Sequence, residues 1–118
     1  MSRIQVHLDR TAFEPGARVE GRIDWDAGDK RAESVVVSLL WHTSGKGTED
    51  VEIVDQVAVA GPAVQGSHSF SFSLPGFPWS FSGTLVSLVW SVEASLEPGG
   101  AVGRTDLVSA PGAEEVRL

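Results

Sequence analysis

At 118 residues the chain has the length of one domain, enough to bury a core of its own. A formal net charge of −7 disfavours nucleic acid and anionic lipid, whose phosphates require a basic surface, and the absence of cysteine excludes disulfides, thiolate metal sites and cysteine nucleophiles. No stretch approaches the roughly 18 apolar residues of a membrane span, and the N-terminal MSRIQVHLDR lacks the apolar segment of a signal peptide, so a cytoplasmic protein without membrane insertion is expected.

Almost every segment alternates apolar and polar residues with period two, the pattern of a half-buried strand, and no window carries a helical stripe. The first predicted strand covers 3–8, with Ile4, Val6 and Leu8 on one face. A Pro15-Gly16 turn leads into the second, 18–25, where Val19, Gly21, Ile23 and Trp25 oppose Arg18, Glu20, Arg22 and Asp24. The third, 34–42, has Val35, Val37, Leu39 and Trp41 as an unbroken apolar face and ends in the turn formers TSGKGTED. In the fourth, 51–59, apolar residues switch sides around Asp55. The fifth, SHSFSFSL at 67–74, sets Phe70, Phe72 and Leu74 against Ser67, Ser69, Ser71 and Ser73. The prolines and glycines of PGFPWSFSG exclude that segment from a central strand. A sixth strand, 85–96, aligns Val86, Leu88, Trp90, Val92, Ala94 and Leu96; a PGG turn precedes a seventh near 101–109, and EEVRL offers an eighth.

Seven or eight short strands separated by turns predict an all-β, antiparallel immunoglobulin-like β-sandwich. A closed barrel is the rival; uneven turns and two long loops favour the sandwich. Residues 1–118 read as a single domain without repeat or linker, with 109–118 either a last strand or a frayed tail.

Three stretches in order carry a resemblance. The first is FEPGARVEGRI, with Phe13, Pro15, Gly16, Val19, Gly21 and Ile23 in a Phe/Tyr-x-Pro-Gly-x-x-Val-x-Gly-x-Ile/Val pattern. The second is VVVSLLWHTSGKG. The third is FSFSLPGFPWSFSGTLVSLVWSVEASLE, with its Phe-x-Phe-x-Leu-Pro run, a Pro-x-Ser-Phe-x-Gly loop and a long strand ending in Ala-x-Leu. From about residue 4 to 97 the chain resembles the arrestin-like family: arrestins, arrestin-domain-containing proteins and their bacterial sporulation-control relatives. The resemblance implies an interaction or scaffold module without catalysis. In physical terms, Gly21 is expected where a backbone or a large ring approaches closely, and Pro78 with Gly83 where the chain crosses between sheets. The resemblance extends to one sandwich, like the N-terminal half of an arrestin. The paired lysines that bind phosphate near the first strand of receptor arrestins are absent, since SRIQVHLDR offers only Arg3 and Arg10, so receptor-phosphate sensing is not implied.

Catalytic, metal and cofactor chemistry find no support in the residue pattern. His7, His42 and His68 lack ligand spacing, and they read as two surface histidines and one at a sheet edge. No Gly-x-Ser-x-Gly accompanies the many serines. GKGT at 45–48 lacks both the upstream glycine of a phosphate loop and a following helix, and reads as a hairpin loop. Glu49, Asp50, Glu52 and Asp55 read as a solvated acidic edge, because a regular strand points Glu52 away from Asp55 and calcium needs six or more convergent oxygens.

The aromatic and apolar residues are the better lead. Trp25, Trp41 and Trp90 fall on core parity, whereas Trp79 lies in a loop beside Phe77 and Phe81. It either anchors a partner or caps the end of the sandwich. On the expected solvent faces Val36, Leu40, Leu85 and Val89 are apolar, and adjacent strands would join them in an exposed patch. The favoured function is a non-catalytic module that binds a protein or peptide through a sheet edge or loops, at Trp79, Phe77, Val36, Leu40 and Val89. Self-association as a homodimer would stand in for the second sandwich. The alternative is a carbohydrate-binding module with loop aromatics as a stacking platform, and an enzyme ranks third.

Overall fold

The computed structural model describes residues 2–29, 31–45 and 48–118, and the alternating segments form ten strands there. They are β1 (Arg3–Leu8), β2 (Ala12–Phe13), β3 (Arg18–Asp26), β4 (Ser34–Gly45), β5 (Thr48–Ala60), β6 (Gln65–Ser73), β7 (Phe81–Ser82), β8 (Val86–Glu97), β9 (Val102–Ser109) and β10 (Val116–Arg117). The seven longer strands are those read from the alternation. The three short ones, each of two residues, appear where the chain crosses or doubles back; β7, inside the PGFPWSFSG segment expected to stay out of a central strand, has β8 on one side and β10 on the other. Among the described residues no helix is long and apolar enough to cross a membrane.

Two sheets face each other. The smaller has the antiparallel order β1-β3-β6; the larger runs β10-β7-β8-β4-β5, with β9 on the same side of β8 as β7. The sheets do not close into a barrel. Among the described residues they are stitched at the side of β1 and β9: the Thr105 hydroxyl of β9 donates to the Val6 carbonyl of β1 at 2.8 Å, and Gly103 passes against the Ile4 carbonyl. β2 leaves the small sheet to pair in parallel with β9. The last ten residues are not frayed: after a 3-10 turn at Pro111–Ala113, β10 pairs with β7, and the Val116 amide donates to the Ser80 carbonyl at 3.2 Å.

Core composition follows strand parity. Ile4 and Val6, Val19, Ile23 and Trp25, and Phe70, Phe72 and Leu74 come from the small-sheet side. Val35, Val37, Leu39, Leu88, Trp90, Val92, Ala94, Leu96 and Leu107 come from the large sheet, all buried. Burial of each large aliphatic or aromatic side chain contributes about 2 kcal/mol, so this shared core is what holds the sheets together. Its tryptophans keep their indole N–H groups bonded: Trp90 donates to the Pro78 carbonyl and Trp25 to the Ala63 carbonyl, each at 2.9 Å. Gly21 and Gly66 are among the glycines that close approach requires. A Cβ at Gly21 would strike the His7 carbonyl and lie 2.8 Å from the Phe70 ring, and one at Gly66 would lie 2.5 Å from the Trp25 ring.

One feature of the register overturns an expectation. β4 pairs with β5 regularly except between Leu39 and Leu40, where Leu39 faces Asp55 and Leu40 faces Ile53, leaving Val54 as the extra residue of a bulge. The bulge reverses the parity of β5, so Glu52, opposite Trp41, and Asp55, opposite Leu39, share one face. This is the physical cause of the apolar switch around Asp55. Gly45 pairs with Thr48 at the hairpin expected there, and residues 46 and 47 lie outside the described ones.

Candidate functional site

The loop between β6 and β7 carries the most exposed aromatics. Phe77 is 74% exposed and Trp79 40%, and the C-terminal Leu118, brought alongside by β10, is 77% exposed. With Pro78, Phe81 and Val116 they line an apolar depression of about 150 Å³ at one end of the sandwich. Trp79 neither caps the core nor swings freely. Its indole N–H donates to the Gly76 carbonyl at 2.9 Å, which fixes the ring with much of its surface in water. Phe77 meets it edge to face, with centroids 6.2 Å apart and planes at 63°. A stacking platform for a sugar needs coplanar exposed rings, and these two are crossed.

The outer face of the large sheet is different from the patch expected of it. β4 and β8 are neighbours, with His42 opposite Val89 and Leu40 opposite Ser91. Yet Leu40 is only 5% exposed, because β4 is a central strand and Ile53 and Ser91 wall Leu40 in from both sides. Val36 and Val89 are half-buried for the same reason, and Leu85 is exposed but precedes β8. Exposed apolar surface lies one strand further out. On β5, Val51 is 63% and Ile53 54% exposed, in rows with His42 and Leu40 respectively. Sequence reasoning missed these two because the bulge scrambled the alternation that would have assigned them to the outer face. Around them polar groups are mostly satisfied: the Ser91 hydroxyl donates to Asp106 at 2.7 Å, and the Gln56 amide donates to the Ser38 hydroxyl at 2.9 Å. His42 Nδ1 is buried without a partner among the described residues.

The small sheet's outer face is polar, and its side chains pair around Asp24 and Asp26. The rows Gln5–Asp24–Ser67 and His7–Arg22–Ser69 cross β1, β3 and β6. His7 Nε2 lies 2.9 Å from Asp24, and Arg22 Nε lies 3.1 Å from the same carboxylate. The Ser67 hydroxyl first and the Arg22 guanidinium second hold the Asp24 carboxyl below the usual carboxylate range. Asp26 is lowered too, chiefly by the Gly28 amide at 2.8 Å and then by the Gln65 side chain. A serine, a histidine and an aspartate thus meet, but the aspartate stands between the other two. A nucleophilic triad needs the imidazole in the middle to take the hydroxyl proton, so this constellation orders a surface and activates nothing. His68 is exposed at the end of its row, opposite Ile23. Although the bulge brings Glu52 and Asp55 to one face, no group of three or more His, Asp or Glu among the described residues is placed to hold a metal ion.

No protein-family model matches the chain, and no curated protein matches it in sequence. Solved structures share its fold. The sporulation control protein Spo0M from Bacillus subtilis aligns over 92% of this chain with a TM-score of 0.68 and 17% identity, and the alignment covers 49% of Spo0M. The chain therefore spans about half the length of that protein. The CARDB domain of the PF1109 protein from Pyrococcus furiosus, solved in complex with di-metal ions, aligns over 93% of both chains with a TM-score of 0.50 and 12% identity.

Proposed function

We infer that this chain is a non-catalytic, arrestin-like interaction module that works inside the cell by binding a protein or peptide partner. The observation that carries this reading is the cluster of Phe77, Trp79 and Leu118, large apolar side chains held in water by a tight loop and a short terminal strand. Solvated aromatic surface on a fixed backbone is costly to leave bare and inexpensive to bury against a partner, which is how interface anchors act. The three motifs of the arrestin-like pattern and the likeness to Spo0M support the family assignment and the non-catalytic character. The crossed rings of Phe77 and Trp79 count against the carbohydrate alternative.

Affinity purification from the native cell tests the reading. Phe77→Ala and Trp79→Ala are expected to fold normally and to lose a partner that the unaltered chain retains. An identical set of retained proteins for all three would overturn it.

A further inference from the structure

The two outermost strands of the facing sheets, β5 and β6, lie on the side away from β1 and β9, and they differ in what they offer. β6 turns Phe70 and Phe72 inward and presents serines. β5 has thirteen residues, pairs only through its β4 side among the described residues, and is exposed at every described position except the half-buried Val59. One whole edge of backbone N–H and C=O groups thus has no strand beside it. Natural sheets ordinarily protect such an edge by making it short or polar. Here Val51, Ile53, Val54 and Val57 are large, apolar and exposed along it.

We propose that the β5 edge at Asp50–Ile53 accepts an extended peptide segment in which apolar residues alternate with Lys or Arg. This rests on the binding-module reading and names a second surface for it. The alternation follows from the register: Val51 and Ile53 lie on the outer face, in rows with His42 and Leu40, while Asp50 and Glu52 lie on the other face, opposite Thr43 and Trp41. An added strand places successive side chains beside these two rows, apolar against apolar and basic against acidic. The acids select the partner. Across β4, β5 and β8 the charged side chains are Glu49, Asp50, Glu52, Asp55, Glu93 and Glu97, with no Lys or Arg among them. A second copy of this chain would bring the same acids and a net charge of −7 to the edge, so repulsion disfavours it while a basic strand is drawn in.

The test is an NMR titration of the isotope-labelled chain with a short peptide alternating Arg and Val, and with its Asp–Val counterpart. Saturable shift changes and slowed amide exchange are expected on β5 and adjoining β4 with the Arg–Val peptide alone. The double variant Asp50→Lys/Glu52→Lys, its fold checked by unchanged small-sheet shifts, is expected to bind that peptide about tenfold more weakly and to gain the Asp–Val peptide. Equal binding of both peptides, changes centred on β6, no saturable change, or self-association through β5 without peptide would each overturn the proposal. Changes centred on the Phe77–Trp79 loop would overturn the edge alone, because the binding-module reading stands or falls on the loop variants.

Discussion

The two sheets share one core and treat their outer faces in opposite ways. On β1, β3 and β6, Arg3, Arg18 and Arg22 balance Glu20, Asp24 and Asp26, and Asp24 gathers Arg22, His7 and Ser67. The β1 edge is closed by β9 through Thr105. On β4, β5 and β8 the fixed charge is all negative, apolar side chains reach the surface, and the β5 edge is bare. The proposed binding surfaces therefore both lie on the large sheet and its end loops, and in that proposal the small sheet braces them.

The sharpest way to break this comparison lies within the large sheet. Leu40 and Ile53 are directly opposite on β4 and β5, yet one is 5% and the other 54% exposed. Leu40→Ala removes a walled-in side chain and is expected to cost about 3 kcal/mol of unfolding free energy, whereas Ile53→Ala is expected to cost under about 0.5 kcal/mol. Denaturant unfolding of the two variants reads both. Equal losses would mean that β5 is covered and its edge is not open.

The small sheet has its own weak point at Gly21. A Cβ there meets the His7 backbone and the Phe70 ring, neither of which can move without disturbing the β1–β3–β6 ladder. Gly21→Ala is expected to cost about 2 kcal/mol. Hydrogen exchange should show the loss on β1, β3 and β6 and leave the β4–β5 pairing protected; uniform loss would mean the sheets do not behave as separable faces.

Gly21 also illustrates what the amino-acid sequence made legible. Its place in the Pro-Gly-x-x-Val-x-Gly-x-Ile pattern points to a close approach, since the pattern puts a residue without a side chain between Val19 and Ile23. The apolar rows of β1, β3, β4, β6 and β8 were readable for the same reason: period-two alternation is local. What escaped reading depends on distant partners. The bulge at Val54 exists only in the register between β4 and β5, so the shared face of Glu52 and Asp55 and the outward aim of Val51 and Ile53 were hidden. Leu40 looked like surface because parity says which face a residue is on, and only the order β5-β4-β8 says how deep in that face it sits. EEVRL reads as a strand and β10 forms there, but its parallel pairing with β7 needs the returning C-terminus to meet Ser80 and Phe81, which no local pattern announces. Trp79 was visible as a loop aromatic, whereas its bond to Gly76 and its crossing with Phe77 are matters of geometry.

The smallest expected effect separates the faces by pH. Asp24 and Asp26 are lowered in the folded chain, Asp24 by Ser67 and Arg22 and Asp26 by the Gly28 amide and Gln65. An unfolded aspartate titrates near pH 3.9. Between the folded and unfolded values the unfolded chain binds more protons, so stability rises with pH across that interval. The contribution of these carboxylates is therefore fully present above about pH 4 and disappears as pH falls through the lowered folded values. Both groups are half-exposed, so water and salt keep the effect modest. Asp24→Asn with Asp26→Asn is expected to flatten the acid limb of a plot of unfolding midpoint against pH below about 4, relative to the unaltered chain. Raised salt should blunt the same limb in the unaltered chain, since it screens the Arg22 and His7 contacts that reach Asp24. An acid limb identical in chain and variant would show that the small sheet's pairs add nothing to its bracing role, and that its stability comes from the buried rows alone.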